Sequence, residues 1–87
     1  MASYELVFRQ SVAKDLRPLP PEDIGRILSR VRALAENPRP PGSEKLSGKE
    51  LYRIRQGIYR IVYAIDDSSH VVDVIRIAHR RDAYRDR

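Results

Sequence analysis

The sequence predicts an α+β fold in the order β-α-α-β-β-β, two N-terminal helices packed on a mostly antiparallel sheet, with a short basic C-terminal tail of helical character. Three observations lead there. Apolar residues recur at helical spacing between residues 24 and 35, and three β-rich runs crowd the second half with turn-sized gaps between them. Prolines stand at the ends of these segments and not inside them.

Tyr4-Glu5-Leu6-Val7-Phe8 mix aromatic and β-branched side chains with partial alternation and read as the first strand. A short helix follows over residues 9–16, with Val12, Leu16 and Leu19 toward one face. Pro18 ends it, because proline disfavours helical geometry in the residue before it. Pro20-Pro21-Glu22-Asp23 starts the second helix: proline tolerates the first turn, and two carboxylates complement the positive end of the helix dipole. Ile24, Ile27, Leu28, Val31, Leu34 and Ala35 share one helical face, with Arg26, Arg30, Arg32 and Glu36 elsewhere around it, until Asn37-Pro38 stops the helix. Residues 39–49, with Pro40, Pro41, Gly42 and Gly48, lack periodicity and read as a surface loop. Strands are expected at 51–55, 58–65 and 71–78, the last two separated by Asp66-Asp67-Ser68-Ser69-His70.

Composition narrows the class. A chain of 87 residues is expected to form one domain over residues 1–87, since a chain this short buries only roughly 60–65% of its unfolded surface and cannot support two cores. No cysteine is present, which disfavours a disulfide scaffold or thiolate zinc site, and two histidines make a structural metal an unpromising expectation. No run approaches the ~20 apolar residues of a membrane span, and the first residues lack the layout of a signal peptide, so a cytoplasmic protein without membrane partner is expected. The formal charge is +5, from 17 Lys and Arg against 12 Asp and Glu, and most of the cations are Arg. Arginine's planar fork grips phosphate at two points, which suits a phosphate-bearing or acidic partner.

The sharpest local feature is the hairpin of residues 52–63. With Gln56-Gly57 as a two-residue turn, Arg55 faces Ile58, Ile54 faces Tyr59 and Arg53 faces Arg60. Alternation then sets Arg53, Arg55 and Arg60 on one face and Tyr52, Ile54, Tyr59, Ile61 and Tyr63 on the other, which must meet the helices. Like charges directly opposite destabilise a sheet, by a few tenths to about 1 kcal/mol, so these arginines are either solvated and paired with Glu50 or Asp73, or form a phosphate cradle. Just beyond the last strand stand His79, a residue type that can move a proton near neutrality, Arg80, and Tyr84, whose ring suits an unpaired base, with Arg76 and Arg81 as candidate RNA-binding cations. For each there is a plainer reading, a surface histidine or a packing tyrosine.

The run from Leu51 to Tyr63, preceded by Lys45-Leu46-Ser47-Gly48, resembles the central signature of RelE-type toxins of toxin-antitoxin modules, and Ala78-His79-Arg80-Arg81-Asp82-Ala83-Tyr84 resembles their closing motif. Tyr4 to Phe8, Ala13-Lys14-Asp15-Leu16 and the helix ending before Asn37-Pro38 also match, so the resemblance covers nearly the whole chain. It implies a RelE-like fold and a cofactor-free, metal-independent endoribonuclease that cleaves messenger RNA in the ribosomal decoding site and is held by an acidic, RelB-like antitoxin. A ribose 2′-hydroxyl would attack the adjacent phosphate, leaving a cyclic phosphate and a 5′-hydroxyl. By the same resemblance Arg53, Arg55, Arg60, Arg80 and Tyr84 fall on the family's catalytic positions.

The chain departs from the best-studied members, which carry lysines where Arg53 and Arg55 stand and in which a lysine has been considered as general base. Arginine stays protonated at any relevant pH, which leaves His79 as the candidate for proton transfer. The alternative function is that of ParE-type toxins, which share the fold but inhibit DNA gyrase and need no RNA-cleaving constellation.

Overall fold

The computed structural model describes residues 3–46, 48 and 50–79. Its elements run β1 (Glu5–Phe8), α1 (Gln10–Leu16), α2 (Pro21–Glu36), β2 (Glu44–Lys45), β3 (Tyr52–Gln56), β4 (Tyr59–Asp66) and β5 (Val71–His79). The α+β order expected from the sequence is therefore present, with one addition: β2, two residues long, lies in the stretch read as a loop. Two residues carry no alternation to detect, and their pairing with β3 at Glu44↔Arg53 and Lys45↔Tyr52 is what makes them a strand. The expected helical tail lies outside the described residues.

In α2 the prolines do what their geometry allows. Pro21 occupies the first turn, where its missing N–H leaves no hydrogen bond unmade, and Glu22 and Asp23 sit beside it at the positive end of the helix. Ile27, Val31 and Leu34 are fully buried at 0% exposure, while Ile24, Leu28 and Ala35 border them. The shorter α1 buries Val12, with Leu16 and Leu19 packed at the margin of the core.

The sheet has the order β1-β5-β4-β3-β2; β1 runs parallel to β5 and the remaining neighbours are antiparallel. Its helix-facing side supplies Ile54, Ile61, Tyr63, Val72, Val74 and Ile77 to the core. A bulge between β4 and β5 pairs Val62 with Arg76 but Tyr63 with Val74, leaving Ile75 as the extra residue. α1 takes up the loosened edge: Ser11 Oγ donates to the Ile75 carbonyl, and Asp15 Oδ2 accepts the Ile77 N–H at 2.8 Å. That keeps two backbone groups satisfied where β1 has ended.

Candidate active site

One hairpin places the arginines. β3 and β4 pair as Tyr52↔Tyr63, Arg53↔Val62, Ile54↔Ile61, Arg55↔Arg60 and Gln56↔Tyr59, so the connecting turn is Gly57-Ile58. Gly57, with a φ of 61°, takes the first central position, and Ile58 keeps a negative φ, the pattern of a type II′ turn. The expected turn at Gln56-Gly57 and the facing of Arg53 on Arg60 are corrected accordingly, because glycine's positive φ serves the first central place and not the second. The facing partner moves by two residues, and a two-residue step along a strand returns to the same face. Arg53, Arg55 and Arg60 therefore still share the face away from the helices.

β5 extends that face. Arg60 pairs with Ala78 and Val62 with Arg76, so Arg55-Arg60-Ala78 and Arg53-Val62-Arg76 form two adjacent cross-strand rows. The like-charge pair directly opposed is Arg55↔Arg60. Arg60 is only 6% exposed, the buried charged residue of the described chain, which sets aside the solvated reading for this position. Burial of a guanidinium costs several kcal/mol unless hydrogen bonds and opposite charge compensate it, so this position is held in place by its surroundings.

Arg53 is tied down by Glu44, donating from Nε (3.0 Å) and Nη2 (2.8 Å) to the same carboxylate oxygen. These hydrogen bonds hold the Glu44 carboxyl below its ordinary range, and the charges of Arg53, Arg55 and Arg60 add to the effect. Glu50 and Asp73, the partners weighed from sequence, go elsewhere: Glu50 stands 3.6 Å from Lys45, and Asp73 is 2.8 Å from Arg9. The true partner lies in the strand that the sequence concealed.

A cleft of about 360 Å³ opens here, lined by Arg30, Gly42, Glu44, Arg53, Ile54, Arg55 and Arg60. Arg30 comes from the helix layer and was not singled out from the sequence, where it is one of several arginines off the apolar face of α2. Its Nε is buried and meets no hydrogen-bond partner among the described residues. A buried donor left in that state costs roughly 1–3 kcal/mol.

His79 is not brought to this group by the strand register. It pairs with Tyr59 on the helix-facing side, and the two rings meet edge to face at 5.9 Å. Tyr59 in turn donates to Asp23 Oδ2 at 2.7 Å, a bond that raises the phenol's pKa. Tyr59 and His79 border a second cleft of about 490 Å³ beside Lys14, Asp15, Pro18 and Leu19 of the α1 side. Arg80, Arg81 and Tyr84 lie outside the described residues. Fixed guanidinium groups, one of them buried, form a preorganised positive wall of the kind that binds phosphate and stabilises charge gathering on its oxygens.

Comparison with known proteins agrees with this architecture. The family model described as "ParE toxin of type II toxin-antitoxin system, parDE" matches residues 6–84. The toxin RelE of Mycobacterium tuberculosis is 37% identical over 84 residues, covering 94% of this chain and 87% of its own. The crystal structure of an archaeal RelE-RelB complex from Pyrococcus horikoshii OT3 superposes with a TM-score of 0.81 at 28% identity, over 90% of this chain and 96% of that one. The intact RelBE toxin-antitoxin complex of E. coli gives 0.76 at 29% identity, over 88% and 96%. The chain belongs to the RelE/ParE superfamily of toxins from type II toxin-antitoxin modules, on the RelE side of it.

Proposed function

We propose that this chain acts as one domain in the cytoplasm, as a metal-independent endoribonuclease that cleaves messenger RNA, at the ribosomal decoding site, and so stops translation. The observation that carries the reading is the Arg55↔Arg60 pair with Arg60 buried beside Arg53 and Arg76. A sheet selected for stability alone would not oppose two guanidinium groups and bury one of them, whereas a site that must meet a phosphate already positioned gains from both. In the reaction the ribose 2′-oxygen bonds to the adjacent phosphorus, the bond to the 5′-oxygen breaks, and the products are a 2′,3′-cyclic phosphate and a 5′-hydroxyl. Arg60 and Arg55 would hold the nonbridging oxygens as charge builds on them, with Arg53 and Arg76 flanking the strand and Arg80, Arg81 and Tyr84 joining from the tail. His79, on the other side of the sheet, takes no part in this proposal.

RelE structures solved with RelB support an antitoxin as the controlling partner, and the +5 charge of this chain suits an acidic one. Primer extension on transcripts after induced expression tests the whole reading. Cuts confined to translated frames are expected, and co-expression of the antitoxin should abolish them. The ParE description of the matched family keeps gyrase inhibition as the second reading. Uncut transcripts together with trapped gyrase-DNA complexes would replace the first by the second.

A further inference from the structure

β2 stops early. Glu44 pairs with Arg53, and beyond it no described strand covers β3, so the sheet edge at residues 54–56 is open among the described residues. The 360 Å³ cleft lies at this opening, and its lining joins the two layers of the molecule: Arg30 from α2, and Arg53, Arg55 and Arg60 from the sheet. Gly42, with a φ of 97°, carries the loop past the guanidinium tip, Arg30 Nη2 lying 4.0 Å from where a Cβ on it would stand. Arg30 meanwhile keeps a buried Nε with no partner among the described residues. Four guanidinium groups and one carboxylate, Glu44, line the cleft, which makes it strongly positive.

We propose that the Arg30 end of this cleft is a second phosphate subsite, in which Arg30 binds the backbone phosphate of single-stranded RNA next to the one held by Arg55 and Arg60. The proposal rests on the nuclease reading and deepens it by assigning a positioning residue outside the hairpin. A backbone phosphodiester spreads its charge over two nonbridging oxygens, each able to accept from more than one donor, and arginine's planar fork matches that geometry. A single strand also carries one charge per nucleotide, so a subsite adjoining the Arg55-Arg60 row fixes the chain's direction through the site as well as its affinity.

The test is fluorescence anisotropy with a mixed-sequence 2′-O-methyl oligoribonucleotide, whose blocked nucleophile prevents cleavage, titrated across salt concentrations. Arg30→Met keeps the buried stem and removes the charge; it should weaken binding about fivefold or more and reduce the salt slope by about 0.7, the value for one phosphate contact on a single strand. Its Tm should not fall, because an unanswered buried donor is removed with the charge. Arg30→Lys should recover most of the slope. If Arg30→Met bound as tightly as wild type while Arg55→Met did not, the subsite would be refuted and the nuclease reading kept. If the wild type itself held no oligonucleotide, both would fall together. If Arg30→Met weakened only an acidic peptide from the cognate antitoxin, the cleft would be a protein dock, against the proposal. Should Arg30→Met fail to fold, Arg30→Gln decides: the salt slope should fall by about 0.7, and an unchanged slope would overturn the subsite.

Discussion

Two corners that share β3 use arginine on opposite principles. At one end of the strand, Arg39 is answered on every side: Nη1 and Nη2 donate to the Asp67 carboxylate at 3.2 and 2.9 Å, Nε donates to the Tyr52 hydroxyl at 3.2 Å, and the guanidinium stands 5.2 Å from the Tyr52 ring centre. Asp67 also accepts from the Tyr4 hydroxyl at 2.8 Å, and Tyr52 stacks on Tyr63, whose buried hydroxyl donates to the Pro38 carbonyl at 2.7 Å. These bonds fasten the N-terminal segment, the end of α2 and the β4-β5 turn to one another. At the neighbouring corner, one residue along the strand, Arg53, Arg55, Arg60 and Arg30 converge on Glu44 alone among the lining residues. The same side chain serves as a strut where one arginine meets its own carboxylate and as a positive wall where four line a cleft with one carboxylate.

Breaking the unbalanced corner should have the largest effect. Arg60→Met, which retains the buried stem, should lower cleavage by at least about tenfold, equivalent to roughly 1.4 kcal/mol of transition-state stabilisation. Single-turnover cleavage of a translated message measures it, and an unaltered rate would remove Arg60 from the site. Breaking the balanced corner should show in stability instead. Tyr63→Phe strands the buried Pro38 carbonyl and should cost about 1–2 kcal/mol in urea unfolding, with cleavage per folded molecule unchanged. A loss of turnover without loss of stability would show that the two corners are coupled.

A smaller effect belongs to pH. The bonds from Arg39 and Tyr4 hold the Asp67 carboxyl below its ordinary range, so its folded pKa is depressed relative to the unfolded chain. Its contribution is present above the unfolded value of about 3.9 and is lost as pH falls through the folded one. Melting temperature should therefore drop on acidification below about pH 4, and Asp67→Asn should flatten that part of the profile; a mutant with the wild-type acid limb would contradict the assignment. The smallest effect is expected from His79→Gln, which should keep cleavage within about twofold and leave the acidic limb of the pH-rate profile intact, since the ring faces Tyr59.

What was legible in the sequence follows from where each signal resides. The helical face of α2 and its proline start are local patterns, and Ile27, Val31 and Leu34 were readable as core from their spacing alone. The sharing of one face by Arg53, Arg55 and Arg60 was readable too, because it depends only on odd and even positions. Arg30 and Glu44 were not, since each owes its place to packing between segments: one side chain crosses from the helix layer, and one strand exists only through its partner. The burial of Arg60 was equally hidden, because an arginine on the face away from the helices carries no local sign of being covered.

The bulge in β5 acts as a phase shift. Before it, Val72 and Val74 point to the core; after it, Ile77 does, three positions on instead of two. Had the alternation continued unbroken, Arg76 would enter the core and Ile77 would stand among the arginines. The positive wall thus depends on a count as much as on residue types, and a hairpin of this kind tolerates insertions in pairs far better than singly. Deleting Ile75 alone would remove the bulge and leave a regular ladder in which Arg76 and Ile77 keep their faces, whereas one residue inserted after Arg76 would turn Ile77 out of the core.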